Sequence, residues 1–245
     1  MANKRHKWMQ YKFIRQFEDV RSYLPETKWF NKDNFLELFD KYSDVIVKPN
    51  EGRRGRGVYR ISATGSGKYE IHKEKTKRIV ADKEAAYEYL HGKAGSRKYI
   101  VQQRISLATV NGCPMDVRTI VQRKTGSDVW KVTAIAIKVA GEGYIVTNIQ
   151  RSAGLVLPIL KALRKSSLKH LSGKALRSSV KKVALMTAEK MVQLYPDHRI
   201  YAFDMGIDDN GDVWIIEVNR FPMMTHFQAL KDKTMYNRIM RYKNS

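Results

Sequence analysis

Tyr201-Ala-Phe-Asp-Met-Gly-Ile-Asp-Asp-Asn-Gly-Asp-Val-Trp-Ile-Ile-Glu-Val-Asn219 reads as two strands joined at Asn210-Gly211, a pair of residues suited to a two-residue hairpin turn. Such a turn sets Asp209 opposite Asp212, Ile207 opposite Trp214 and Asp204 opposite Glu217. Asn219 lies two residues beyond Glu217 and so emerges on the same face of the sheet. Directly opposed residues have Cβ atoms about 4.5–5.5 Å apart. Three oxygen-bearing side chains therefore converge on one patch, while Phe203, Met205, Ile216 and Val218 are expected to point the other way, into a core.

Two carboxylates held that close repel unless a proton or a cation lies between them. Hard oxygen ligands suit Mg²⁺ or Mn²⁺, with phosphate oxygens completing the shell. A polar sheet face with chance acids is the alternative. A calcium loop is a second rival, with Gly211 and Glu217 as its sixth and twelfth positions. Its first position would be Gly206, which has no carboxylate, and apolar strand residues run through it.

Working outward, 245 residues make one large domain or two small lobes, and 43% hydrophobic residues allow a sizeable core. The one cysteine, Cys113, excludes a disulfide framework and a cysteine-rich zinc site. The sequence shows no signal peptide, and no apolar run approaches the roughly 18 residues that a span requires. A reducing, cytoplasmic location is the expectation. The net charge of +22 implies attraction to an anionic partner, although a solvated basic surface explains the spread of Lys and Arg equally well.

From the N-terminus, Trp8, Tyr11, Phe13, Phe17 and Val20 suggest a helix docked on a larger body, followed by a break at Leu24-Pro-Glu-Thr27. Asn31 or Asp33 caps an expected helix through Leu36, Leu38, Phe39 and Tyr42. A short strand at 44–48 leads into Pro49-Asn-Glu-Gly-Arg-Arg-Gly-Arg-Gly57, with strands expected at 58–62 and 69–72. Glycines between two strands make a hairpin lid whose amides can wrap phosphates, with Lys48 directed from the strand end. A plain flexible turn or a short RNA-binding arginine–glycine segment are the alternatives. No helix follows the glycines, so the loop is neither a Walker A motif nor a dinucleotide fingerprint.

A helix over 81–91 capped by Asp82, a strand at 99–105 and a loop at 106–115 come next. Strands at 116–123 and 130–139 form a meander that sets Asp116 and Arg118 on one face and ends at Lys138. Residues 155–164 read as a short helix and 172–195 as a long one with an apolar stripe. Lys161, Arg164, Lys165, Lys169, Lys174, Arg177, Lys181 and Lys182 surround it, as a solvated face or as a docking face for an acidic partner. The six histidines show no metal-ligand spacing and read as surface or packing residues. The tail after Phe221 is amphipathic and ends basic.

In that order, a strand lysine, a glycine lid, an apolar strand, D-x-R, a late lysine, N-x-x-R and D…E-x-N resemble the ATP-grasp superfamily. LPET and VIVKPNEGRRGRGVYRI are similar to its YheC/YheD-type, endospore coat-associated group. DVRTIVQR, AIAIKVA and IVTNIQRSAG resemble the RimK-type ligases that attach glutamate to a protein tail. The resemblance covers residues 7–225. It implies an α+β ATP-grasp fold of two lobes clasping ATP. Residues 1–43 would be an N-terminal helical segment, 44–105 the lobe with the lid, 106–225 the lobe with the metal site and 226–245 a basic tail.

It further implies that Lys7, Lys48, Gly52, Arg53, Arg54, Gly55, Arg56 and Gly57 bind the phosphates of ATP. Gln102, Gln103 and Ile105 would line the adenine edge. Asp204, Glu217 and Asn219 would hold Mg²⁺, with Mn²⁺ as an alternative. Lys138, Asn148, Arg151 and Arg118 would serve the reacting phosphate. Many relatives carry glutamate where Gln103 stands, and Ala153 replaces the first glycine of a RimK-type N-x-x-x-G-G. Most of the N-terminal substrate domain usual in the superfamily is absent from this chain. A partner chain, a second copy or a large substrate with an open groove would complete the acceptor site.

The implied reaction is ATP-dependent ligation of a carboxylate to an amine, or to a peptide, through an acyl phosphate. The substrate would be a carboxylate and an amine, with an acidic peptide or anionic polymer favoured by charge. A non-catalytic nucleic-acid or polyanion binder on the same scaffold, and a kinase that stops at phosphorylation, are the rival readings.

Overall fold

The computed structural model describes residues 6–52, 55–65, 67–145, 147 and 152–245. Two antiparallel sheets face one another across a cleft. The first has the order β1-β6-β2-β3-β4-β5, built from Thr27–Trp29 (β1), Asp44–Pro49 (β2), Tyr59–Ala63 (β3), Tyr69–Lys73 (β4), Thr76–Val80 (β5) and Tyr99–Gln103 (β6). The second has the order β10-β9-β8-β11-β12. Its strands are Cys113–Gln122 (β8), Lys131–Val139 (β9), Leu155–Pro158 (β10), Ile200–Ile207 (β11) and Val213–Asn219 (β12), with Thr109–Val110 (β7) paired to β8.

Two helices cover the first sheet. Asn31 starts α3, Lys32–Tyr42, by accepting from the Asn34 amide at 2.9 Å, and Asp82 starts α4, Lys83–Ala94, by accepting from the Ala85 amide at 2.6 Å. These caps satisfy amides that have no partner within the helix. Phe35, Leu38 and Phe39 recur at helical spacing and bury one face against Val45, Val47, Ile61 and Val101. Of two shorter helices, Lys7–Ile14 (α1) bridges β1 of the first sheet and β12 of the second, and Glu18–Arg21 (α2) packs on the long helix Gly173–Leu194. The Trp8 amide donates to Asn50 and the Tyr11 hydroxyl accepts from the Thr27 amide. Ile14 and Val20 meanwhile join the core of the second sheet.

The second sheet is covered on both faces. The 22-residue helix Gly173–Leu194 packs Leu176, Val180, Val183, Ala184 and Met191 over Val117, Val121, Phe203 and Ile215. The opposite face meets Phe227, Leu230 and Ile239 from Thr225–Gln228 and Thr234–Lys243. The segment expected as a tail from 226 therefore contributes core side chains.

Several sequence expectations change. The turn of the last hairpin has three residues, not two. Asp208 Oδ1 accepts from the amides of Asn210 and Asp212 at 3.0 and 2.9 Å, and Gly211 takes φ +90°. Ile207 consequently pairs with Val213, and Trp214 with Gly206. A bulge between Asp204 and Met205 restores the Asp204–Glu217 pairing. The extra residue is Ile216, which faces the cleft while Ile215 enters the core. Residues 155–158 form a strand rather than the start of a helix. The helix begins only after Pro158, which stands at its N-cap with extended backbone. The Thr76–Val80 edge strand went unread because its residues are largely exposed, so no alternation of burial marks it.

Candidate active site

The cleft between the sheets has a volume of about 980 Å³. Its second-sheet wall follows from strand register. Asp204 on β11 pairs with Glu217 on one side and Arg118 on the other, and Asp116 on β8 pairs with Lys138 on β9. Alternation puts Asp116 and Arg118 on one face, as expected from sequence. Lys138 Nζ sits 2.8 Å from Asp204 Oδ1 and 3.0 Å from Asp116 Oδ2. Arg118 Nε lies 3.1 Å from Asp204 Oδ1. Thr147 also donates to Asp116.

Burial sets the protonation of this group. It raises Asp116 to about 6 against the pull of Lys138. Asp204 is also pushed up by burial, but Arg118 and Lys138 together outweigh that and hold its carboxyl below the ordinary range. Asn219 Nδ2 donates to Asp204 Oδ2 at 3.1 Å, and Glu217 Oε1 is 3.8 Å from Lys7 Nζ.

Among the described residues no three His, Cys, Asp or Glu side chains gather into a metal cage. Asp204, Glu217 and Asn219 instead supply two carboxylates and an amide. That set suits a divalent ion sharing its shell with phosphate oxygens, and Glu217 is only loosely engaged by Lys7.

On the first-sheet wall, Lys48 Nζ donates to Gln102 Oε1 at 2.7 Å, and Gln102 Nε2 donates to Thr27 Oγ1 at 2.7 Å. Gln102 lines the cleft while its side chain holds the lysine. Gln103 Oε1 accepts from the Glu26 amide, and its own amide donates to the Glu26 carbonyl. Ile105 lies with Leu107 and Ile216 over Gly206. A Cβ on Gly206 would meet the end of the Leu107 side chain at 2.6 Å and that of Ile216 at 3.4 Å, so a larger residue would displace the side chains that form this apolar slot.

Gly52, Gly55 and Arg56 line the cleft. Gly57 lies behind it at φ +71°, where a Cβ would come within 2.8 Å of the Tyr99 hydroxyl. Arg53, Arg54, Asn148 and Arg151 lie outside the described residues.

Sequence reasoning missed Ile216, Leu107 and His226. Ile216 was hidden by the bulge. His226 lines the cleft, and its ring is lowered to about 4 by burial first and then by Arg118 and Lys138. Nothing in its sequence spacing marks it.

Lys48 gives a pH-dependent expectation. Burial lowers it to about 8 from 10.5, with Glu217 opposing. An anion such as a polyphosphate bound beside it would favour the charged form, so its binding at pH 8.5 should take up a proton. Affinity should then fall as pH rises from 8 towards 10. Calorimetry in two buffers of different ionisation enthalpy reads the uptake, and Lys48→Arg should abolish it because guanidinium stays charged. Equal proton uptake in the variant would contradict this assignment.

A family model described as YheC/D like ATP-grasp matches residues 2–244. The endospore coat-associated protein YheD of Bacillus subtilis (strain 168) is 28% identical over 229 residues, covering 89% of this chain and 48% of that protein. The chain thus spans about half the length of the curated relative it matches. An L-amino acid ligase from Bacillus licheniformis superposes with a TM-score of 0.58 at 14% identity, covering 98% of this chain and 48% of that one. The D-alanyl-alanine synthetase A of Vibrio cholerae gives 0.56 at 15% identity, covering 100% and 66%. At these identities the solved structures establish the fold alone. Among the described residues no helix is long and apolar enough to cross a membrane.

Proposed function

Because the chain belongs to the YheC/D-like ATP-grasp family, we propose that it is an ADP-forming ligase joining a carboxylate to an amine. The observation that carries this reading is one cleft in which Lys48, Arg118 and Lys138 stand against Asp204, Glu217 and Asn219. Cations and hard oxygen ligands in one place are what a triphosphate and its metal require.

The adenine lies in the slot of Ile105, Leu107 and Ile216. Gly52, Gly55 and Arg56, which line the cleft, contact the phosphates, and the family resemblance gives Arg53 and Arg54 the same role. Lys48 and Lys7 neutralise phosphate oxygens. Asp204, Glu217 and Asn219 would hold Mg²⁺, which when bound would supply neutralisation of phosphate charge. The substrate carboxylate oxygen forms a bond to the γ-phosphorus as the bond to the bridging oxygen breaks, and ADP leaves. The amine nitrogen then attacks the acyl carbon, loses its proton and displaces phosphate.

Arg118 and Lys138 stabilise the oxygens that gain charge in both steps, and the family resemblance assigns Asn148 and Arg151 to the same phosphate. The protein's contribution is positioning and charge. His226 is neutral at physiological pH and adds no third cation beside Arg118 and Lys138.

The test is a screen of carboxylates and amines for ADP release, with hydroxylamine present to trap acyl phosphate as hydroxamate. Hydroxamate formed only with ATP and a particular carboxylate supports ligation. A stable phosphorylated product that resists hydroxylamine would make the protein a kinase.

A further inference from the structure

Between Glu142 and Glu189 lie 46 residues without one Asp or Glu. The chain's average composition would put about four or five acids there. Lys and Arg are present at their ordinary frequency, nine of the chain's 46, so the acids are missing rather than the cations enriched. Nine of the 22 net positive charges therefore sit in this run.

Eight of those cations are Lys161, Arg164, Lys165, Lys169, Lys174, Arg177, Lys181 and Lys182, and all are exposed. None takes part in an ion pair, side-chain hydrogen bond or ring contact among the described residues. The nearest hairpin turn carries acids, since Gly211 packs against Leu171 and Leu176. Asp208 there is consumed by the turn amides and by Trp214 Nε1, and among the described residues none of the eight cations forms an ion pair with Asp208 or with the exposed Asp209 and Asp212. Elsewhere surface cations do pair: Lys41 with Glu26, Arg123 with Asp128, and Lys190, at the far end of the same helix, with Asp19.

The exposed side of the helices Ile159–Leu163 and Gly173–Leu194, with the segment between them, is thus cationic and carries no acid of its own from 161 to 182. Lys174, Arg177 and Lys181 follow at i, i+3 and i+7, one stripe along the helix. The apolar side of that helix covers one face of the second sheet, whereas Asp116 and Arg118 stand on the other. The surface is separate from the cleft.

We propose that this face, from Lys161 to Lys182, is a docking site for an acidic polypeptide segment. One feature favours a carboxylate chain over a single-stranded nucleic acid. No Phe, Tyr or Trp occurs between 161 and 182 on which bases could stack.

The test needs no nucleotide and is unaffected if the ligase reading fails. Fluorescence anisotropy would follow labelled poly-L-glutamate and a thymidine oligonucleotide of equal charge, at 50 and 200 mM salt. The protein would be wild type, a patch variant and a control variant of the full chain. The patch variant changes Lys174, Arg177, Lys181 and Lys182 to Gln. The control changes Lys32, Lys68, Lys231 and Arg241, also exposed, to Gln, with the same loss of net charge.

Polyglutamate affinity should fall about tenfold or more in the patch variant and under about threefold in the control, with a shallower salt dependence only in the former. Equal losses in both variants would mean that net charge alone attracts the polymer, and would overturn the site. Tighter binding of the oligonucleotide than of polyglutamate would overturn the polypeptide assignment. Unfolding midpoints check that each variant folds. Gln at Lys161, Arg164, Lys165 and Lys169 tests the same surface from its other end.

Discussion

Lys138→Met is expected to destabilise the fold by about 3–5 kcal/mol, the range for removing one partner from a buried charge pair. Lys138 Nζ is shared by Asp116 and Asp204, and all three side chains are nearly out of solvent. Methionine fills a similar volume, so the loss reports charge and not a cavity. Asp204 keeps Arg118, whereas Asp116 keeps only the Thr147 hydroxyl among the described residues.

The sign of the pH dependence follows. A carboxyl whose folded pKa stands above its ordinary 3.8 binds more protons when folded, so its contribution to stability falls as pH rises between the two values. Asp116 already stands at about 6, and loss of Lys138 removes a group that lowers it. The gap between wild type and variant should therefore be wide at pH 8 and narrow towards pH 5. Urea unfolding at the two pH values measures it. A gap that is constant with pH would mean that the lysine is not the carboxylates' counter-ion.

Glu217→Gln is expected to weaken Mg-ATP binding by about 10–100-fold, the scale at which perturbing a metal's surroundings acts. The substitution preserves size and removes one negative charge where the hard ligands gather. Stability should change little, because Glu217 is half-buried and its contact with Lys7 is 3.8 Å long. Under the proposed reaction turnover should fall further than binding, since the same ion would neutralise charge that develops as the phosphoryl group transfers. Binding of ATP without metal should be nearly unchanged or slightly tighter, because an acid facing phosphates is gone. Loss of metal-free binding as well would point to a collapsed cleft.

Much of this was legible in the residues. The last hairpin announced itself through Asn210-Gly211, and the pairing of Asp204 with Glu217 came out as expected although the turn did not. A three-residue turn and a one-residue bulge cancel at Asp204, so the two differences hid one another. Their visible consequence is Ile216, which moved from the expected core to the cleft. A bulge leaves little trace in a single sequence, because it depends on how three strands twist against one another.

Alternation on β8 gave Asp116 and Arg118 a common face, but the sharing of Lys138 between Asp116 and Asp204 required the register of β8 with both β9 and β11. Gln102 read as a residue of the adenine edge. Its bond to Lys48 joins two strands far apart in the chain and could not be seen locally. His226 came into the site only because the segment after Asn219 turns back and buries Phe227 against the second sheet.

The most direct measurement is Mg²⁺-dependent ATP binding by calorimetry, on the wild-type chain and on Glu217→Gln. A nucleotide site built as described predicts micromolar binding that requires Mg²⁺ and weakens in the variant. No binding in either protein, with both folded, would contradict the nucleotide site and with it every catalytic role assigned to this cleft.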